Sequence, residues 1–147
     1  MTRNGEEPPH IEQPGGFDAQ EAPDANGGVV VLVVDDQELV IGAVKRILKR
    51  AGGFTVVSTT SPLEALKLVK SLPHLGATVM DVMMPEMNGV ELAQRVHALR
   101  PDLPILHMTA SPEAAEELME RAGWLGPVVH KPFESEQLLS SLKRLLT

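Results

Sequence analysis

The chain of 147 residues contains no cysteine, which excludes disulfide frameworks, thiolate metal sites and cysteine nucleophiles. Positive charge is scarce: 13 Lys and Arg stand against 20 Asp and Glu, a formal charge of −7. That balance argues against nucleic-acid binding, which needs a basic surface to neutralise phosphates. Long apolar runs are missing as well. The longest, Val29–Val34, has six residues and falls far short of a membrane span. The N-terminus lacks the basic start and apolar stretch of a secretory signal, and no Walker or dinucleotide glycine motif occurs. The five histidines are scattered without metal-ligand spacing, so a zinc site is not expected. What remains is a cytoplasmic protein that engages neither membrane nor nucleic acid, with 43% apolar and 22% charged residues, enough to build a core.

Charge is unevenly placed. Residues 1–28 carry six acids, one base, four prolines and five glycines, a net charge of −5, whereas the remaining 119 residues are close to balanced at −2. With only scattered apolar residues such as Ile11 and Phe17, the first segment buries too little to offset the entropy of ordering it. It reads as a disordered acidic leader over 1–28, followed by one domain over 29–147.

From Val29 onward, short apolar runs alternate with helical periodicity. Val29–Val34 has the β-branched texture of a strand covered on both faces. Leu39, Ala43, Val44, Ile47 and Ala51 follow at helical spacing until Gly52-Gly53 stops them. Further strands are predicted over Phe54–Ser58, Ala77–Asp81, Pro104–Met108 and Val128–His130. Helices open at Ser61-Pro62, Asn88 and Ser111-Pro112, where a polar cap stands first. The last helix is marked by Leu138, Leu139, Leu142, Leu145 and Leu146. Five strands alternating with five helices define an α/β fold, a parallel sheet with helices on both faces. Ligands in such sheets bind beyond the carboxyl ends of the strands.

Those ends carry the chemistry. Strand one ends in Asp35-Asp36, strand three in Asp81, strand four in Thr109-Ala110 and strand five in His130-Lys131-Pro132. Three carboxylates on one rim repel unless a cation neutralises them, and Mg²⁺ is satisfied by a few carboxylates plus water and phosphate oxygens. Lysine and threonine add a positive point and a hydrogen bond for a phosphoryl group. An aspartate can itself act as nucleophile. Read singly, the paired aspartates are capping acids, Lys131 a surface lysine and Thr109 a strand residue; their shared rim favours function.

Four segments, Val33-Val34-Asp35-Asp36, Met80-Asp81-Val82-Met83-Met84-Pro85-Glu86-Met87-Asn88-Gly89, Met108-Thr109-Ala110 and His130-Lys131-Pro132-Phe133, resemble the receiver domain of two-component response regulators, chemotaxis regulators included. The resemblance spans residues 29–147. It implies a flavodoxin-like, doubly wound sheet with strand order 2-1-3-4-5. It implies Asp81 as phosphoacceptor, Mg²⁺ held by Asp36, Asp81 and the Met83 backbone carbonyl with Asp35 assisting, and Thr109 and Lys131 contacting the phosphoryl group. The Lys131–Pro132 bond would be cis. Partners would be a histidine kinase or histidine phosphotransfer domain and an unknown downstream protein. With little sequence after the last helix, a stand-alone receiver, or one cut from a longer protein, is expected.

The match departs at one functional position. Three residues before the lysine the family usually carries Tyr or Phe, which turns inward with the threonine; here it is Val128, and the loop 123–127 looks one residue longer. A pseudo-receiver used only for protein contacts is the alternative, and a phosphatase with an aspartyl nucleophile ranks last because Asp81 is not followed by a D-x-D pattern. Lys45, Arg46, Lys49 and Arg50 line the first helix as a solvated face or, alternatively, a docking surface for a histidine-bearing partner. Met80, Met83, Met84 and Met87 are expected in core and loop packing, and His107 and His130 as satisfied or rim histidines.

Overall fold

The computed structural model describes residues 28–147, so all of the expected acidic leader except Gly28 lies outside the described residues. Ten elements follow in strict alternation: β1 (Val29–Val34), α1 (Glu38–Ala51), β2 (Phe54–Thr59), α2 (Pro62–Ser71), β3 (Leu75–Asp81), α3 (Gly89–Leu99), β4 (Ile105–Thr109), α4 (Pro112–Ala122), β5 (Val128–His130) and α5 (Ser135–Leu146). All strands pair in parallel, in the order β2-β1-β3-β4-β5. This is the order the resemblance implied.

The valine-rich β1 lies inside the sheet, between β2 and β3, with both its faces apolar, and its residues from Val30 to Val34 are buried. On one face Leu32 and Val34 pack with Leu68, Leu92 and Val96 beneath α2 and α3. On the other, Val31 and Val33 pack with Val44, Leu48, Leu138 and Leu142 beneath α1 and α5. Val82, Val90, Ala115 and Met119 form a smaller cluster under α4.

The predicted helix starts hold. Ser61, Asn88 and Ser111 each accept a backbone N–H of the first turn with the side chain, satisfying donors that have no partner within the helix. Gly123 closes α4 in the left-handed conformation, at φ 65°, where glycine carries no Cβ penalty.

The limits of three strands differ from expectation. β2 runs on to Thr59, and β4 covers Ile105–Thr109, one residue later than predicted at each end. The Pro104 carbonyl still accepts the Thr78 N–H at 2.9 Å, but proline has no N–H to extend the ladder. β3 starts at Leu75 and passes through Gly76, where an added Cβ would stand 2.9 Å from Val29 Cγ1. The glycine there leaves room for the Val29 side chain of β1.

Candidate phosphoacceptor and metal site

Because parallel strands share a direction, the ends of β1, β3, β4 and β5 open on one rim. Asp35 follows β1 and is fully buried; Asp81 ends β3 and is 4% exposed. Asp36, beside them, is exposed. One carboxylate oxygen from each of the three lies within 4.8 Å of the others.

Lys131 reaches the same point from the end of β5. Its Nζ donates to Asp35 Oδ2 at 2.7 Å and lies 3.2 Å from Asp81 Oδ1. The Lys131–Pro132 peptide is cis. Asp35 Oδ1 accepts the backbone N–H of Gln37 at 2.9 Å, so this aspartate is held on both oxygens. Gln37, not an aspartate, occupies the N-cap of α1, and its side chain makes no capping bond. Capping therefore does not account for the acidic pair.

The charges do not balance. Burial, and then the neighbouring Asp35, push the Asp81 carboxyl above its usual pKa, with Asp36 adding to the rise; Lys131 opposes them only in part. For Lys131, burial is the largest single influence and lowers its pKa, but the hydrogen bond and charge of Asp35, joined by Asp81, raise it on balance. One ammonium facing three carboxylates leaves a surplus of negative charge in a partly desolvated site. The donor set is all oxygen, so a hard divalent cation fits it.

Thr109 closes β4 on the same rim, fully buried. Its hydroxyl is engaged with the start of α4, donating to the Ser111 carbonyl and accepting the Ser111 N–H, each at 3.0 Å. It stands on the rim with its hydroxyl committed to Ser111 rather than to the acids. Met83 lies in the loop beyond β3 and is 48% exposed, so it does not join the packing expected of the methionines; Met80, Met84 and Met87 do.

Two supporting features had weaker sequence signals. Gly89 opens α3 so close to the end of β3 that an added Cβ would overlap the Asp81 carbonyl, and its N–H bonds the Val82 carbonyl at 2.6 Å. Only a residue without a side chain allows α3 to brace the Asp81 backbone. His107, two residues before Thr109, is fully buried. Its Nε2 accepts the indole N–H of Trp124 at 3.2 Å, and Trp124 meets the His97 ring edge-on at 5.6 Å. The buried His107 Nδ1 has no hydrogen-bond partner, so this histidine is satisfied on one nitrogen only. Exposed His130 is a rim residue, as expected.

A parallel 2-1-3-4-5 sheet carrying a carboxylate cluster and a lysine on the rim defines a class of phosphate-handling signalling domain. The model of the response regulator receiver domain family matches residues 31–143, and the chain belongs to that family. It is similar to the response regulator MprA of Mycobacterium ulcerans (strain Agy99), 35% identical over 118 residues, which cover 80% of this chain and 50% of that protein. The chain thus spans about half the length of the curated relatives it matches. Among solved structures it resembles the chemotaxis protein CheY4 of Vibrio cholerae, with 32% identity, a TM-score of 0.69, and coverage of 81% of this chain and 99% of that one. A CheY-like receiver domain protein from Methanospirillum hungatei JF-1 aligns at 25% identity and a TM-score of 0.71, covering 81% and 94%. The chain is a receiver domain of the kind that serves phosphorelay signalling.

Proposed function

We propose that the chain accepts a phosphoryl group on Asp81 from a phosphohistidine of a histidine kinase or phosphotransfer domain. The observation that carries this reading is the convergence of three carboxylates and the Lys131 ammonium at one strand-end rim. An Asp81 oxygen bonds phosphorus as the phosphorus–nitrogen bond of the donor breaks. The imidazole leaves with the bonding electrons and takes a proton from solvent, giving an acyl phosphate on Asp81. Lys131, already beside both buried acids, pairs with the phosphoryl oxygens.

Asp36 and Asp81, with the Met83 backbone carbonyl and assistance from Asp35, would hold Mg²⁺. When bound, the ion supplies positive charge against the surplus carboxylates and the phosphoryl oxygens. Thr109 donates its hydroxyl to a phosphoryl oxygen after giving up Ser111. In this role the chain is a signalling substrate that promotes its own phosphorylation and slow hydrolysis, not a turnover enzyme. It works in the cytoplasm on protein partners, among them an unknown downstream protein, and not on nucleic acid or membrane. The complete site speaks against the pseudo-receiver alternative.

Incubation with a small phosphodonor and Mg²⁺, followed by intact mass, tests this. The parent gains one acid-labile phosphate and Asp81→Asn gains none; a fully labelled Asp81→Asn protein overturns the assignment. Asp36→Ala should bind Mg²⁺ measurably more weakly in titration, and an unchanged isotherm would refute the metal site.

A further inference from the structure

We infer that the groove between α1 and α5 is a docking surface for the acidic N-terminal segment of the same chain. The groove encloses about 300 Å³ and is lined by Arg46, Ile47 and Arg50 of α1 and by Ser135 and Leu139 of α5, among others. Its apolar floor is walled by cations. Lys45 and Lys49 continue the wall toward the β2 edge, where Lys45, Arg46 and Lys49 border a second groove of about 190 Å³ with Phe54 and Val56. Along α5, the exposed Lys143 and Arg144 border a neighbouring groove that also holds one acid, Glu136. Among the described residues, ion pairs join Arg95 to Glu91, Arg121 to Glu117, and Lys131 to Asp35 and Asp81. None of the six α1 and α5 cations takes part in one.

Three observations select the occupant. The chain enters the described fold beside this surface: Val29 donates its N–H to the Gly53 carbonyl at 2.9 Å, immediately past the end of α1 at Ala51. The segment outside the described residues holds the complementary charge, with Glu6, Glu7, Glu12, Asp18, Glu21 and Asp24 against Arg3 alone. Beyond Met1, its two large apolar residues each precede an acid, as Ile11-Glu12 and Phe17-Asp18, a pairing that suits an apolar floor flanked by arginines. Length is sufficient. The 14 residues of α1 extend about 21 Å, whereas an extended chain covers about 40 Å from Val29 back to Phe17. Tethering places the acids at high effective concentration beside the groove without any partner protein.

The cysteine-free sequence makes a site-specific probe simple. A nitroxide attached to Gln13→Cys in the full chain should broaden the amide signals of Ile47, Arg50 and Leu139 at low salt and leave those of α3 and α4 sharp. The broadening should disappear in about 1 M salt, where charges are screened beyond about 3 Å. It should also disappear in Arg46→Gln/Arg50→Gln, whose changes are on exposed positions and leave the fold intact. Absence of broadening on α1 and α5, broadening centred elsewhere, or broadening that survives the double substitution overturns the proposal. Mixing spin-labelled chain with isotope-labelled, spin-free chain separates the remaining occupant. Transfer of the effect between molecules would mean a second copy fills the groove, and would overturn docking within one chain.

Discussion

At the scale of single residues, two buried groups set the response to pH and to substitution. Asp81 keeps a raised pKa because burial and Asp35 oppose its charge, so the folded state holds this proton more tightly than the unfolded chain. The ionised form therefore costs stability at neutral pH. Asp81→Asn, which removes that charge, should raise the melting temperature of the metal-free protein while abolishing phosphorylation; a lowered melting temperature would contradict the charge imbalance described above. His107 works in the opposite sense. Burial pulls its pKa from 6.5 to about 4, opposed weakly by the Met80 backbone, which lies near it without hydrogen-bond geometry. Between those two values the unfolded chain binds a proton that the folded state refuses. Its contribution is intact above pH 6.5 and is lost as pH falls, by about 3 kcal/mol at pH 4. In urea melts, the advantage of the parent over His107→Met should shrink by about 3 kcal/mol between pH 7 and pH 4; a constant difference would show that His107 does not govern the acid limb.

At the scale of elements, β4 and β5 decide how phosphorylation could be read out. Thr109 is bound to Ser111 at the start of α4, and Val128 of β5 pairs in register with His107, not with Thr109. Valine has neither the area nor the reach of an aromatic ring, so movement of Thr109 gives Val128 little new contact to gain. With a beryllofluoride phosphate mimic, amide shifts should concentrate at Thr109 and the first turn of α4 and stay small at Val128 and along α5. Equal changes at both places would refute this. The alternation of β-branched runs and helical periodicity made all ten elements legible, because each has one dominant apolar pattern and most helices have a cap. The acids and Lys131 were legible for a related reason: in a parallel sheet every strand end faces the same rim. Ser111 holding Thr109, and the His107–Trp124 bond between residues 17 apart, were not legible. They depend on how side chains turn once the strands are paired, which no periodicity records.

At the scale of the whole molecule, the apolar clusters on both faces of the sheet, among the described residues, run from Val29 to Leu146, and the sequence before Gly28 has few large apolar residues. Deleting residues 1–27 should change the melting temperature by less than about 5 °C, a shift on the order of 1 kcal/mol for a domain of this size. A larger drop in calorimetry would mean that the segment contributes to the core. Contacts between exposed charges contribute within this limit, so docking on α1 and small thermal effect are compatible.

The interior position of β1, paired on both edges, has a consequence for how the protein must be made. Of the five strands of this sheet it leaves the ribosome first, yet β3, which pairs with its second edge, ends only at Asp81. At about 5–20 residues per second, translation from Thr59 to Asp81 leaves that edge open for roughly one to four seconds. During that time the nascent chain presents Val-Val-Val-Leu-Val-Val, six uncharged residues without proline, the pattern that self-associates as added strands. The helices that cover its faces emerge later than the strand itself, α5 last of all. The segment that anchors the finished sheet is therefore the one most exposed to mispairing during synthesis, and the one a nascent-chain chaperone would have most reason to hold.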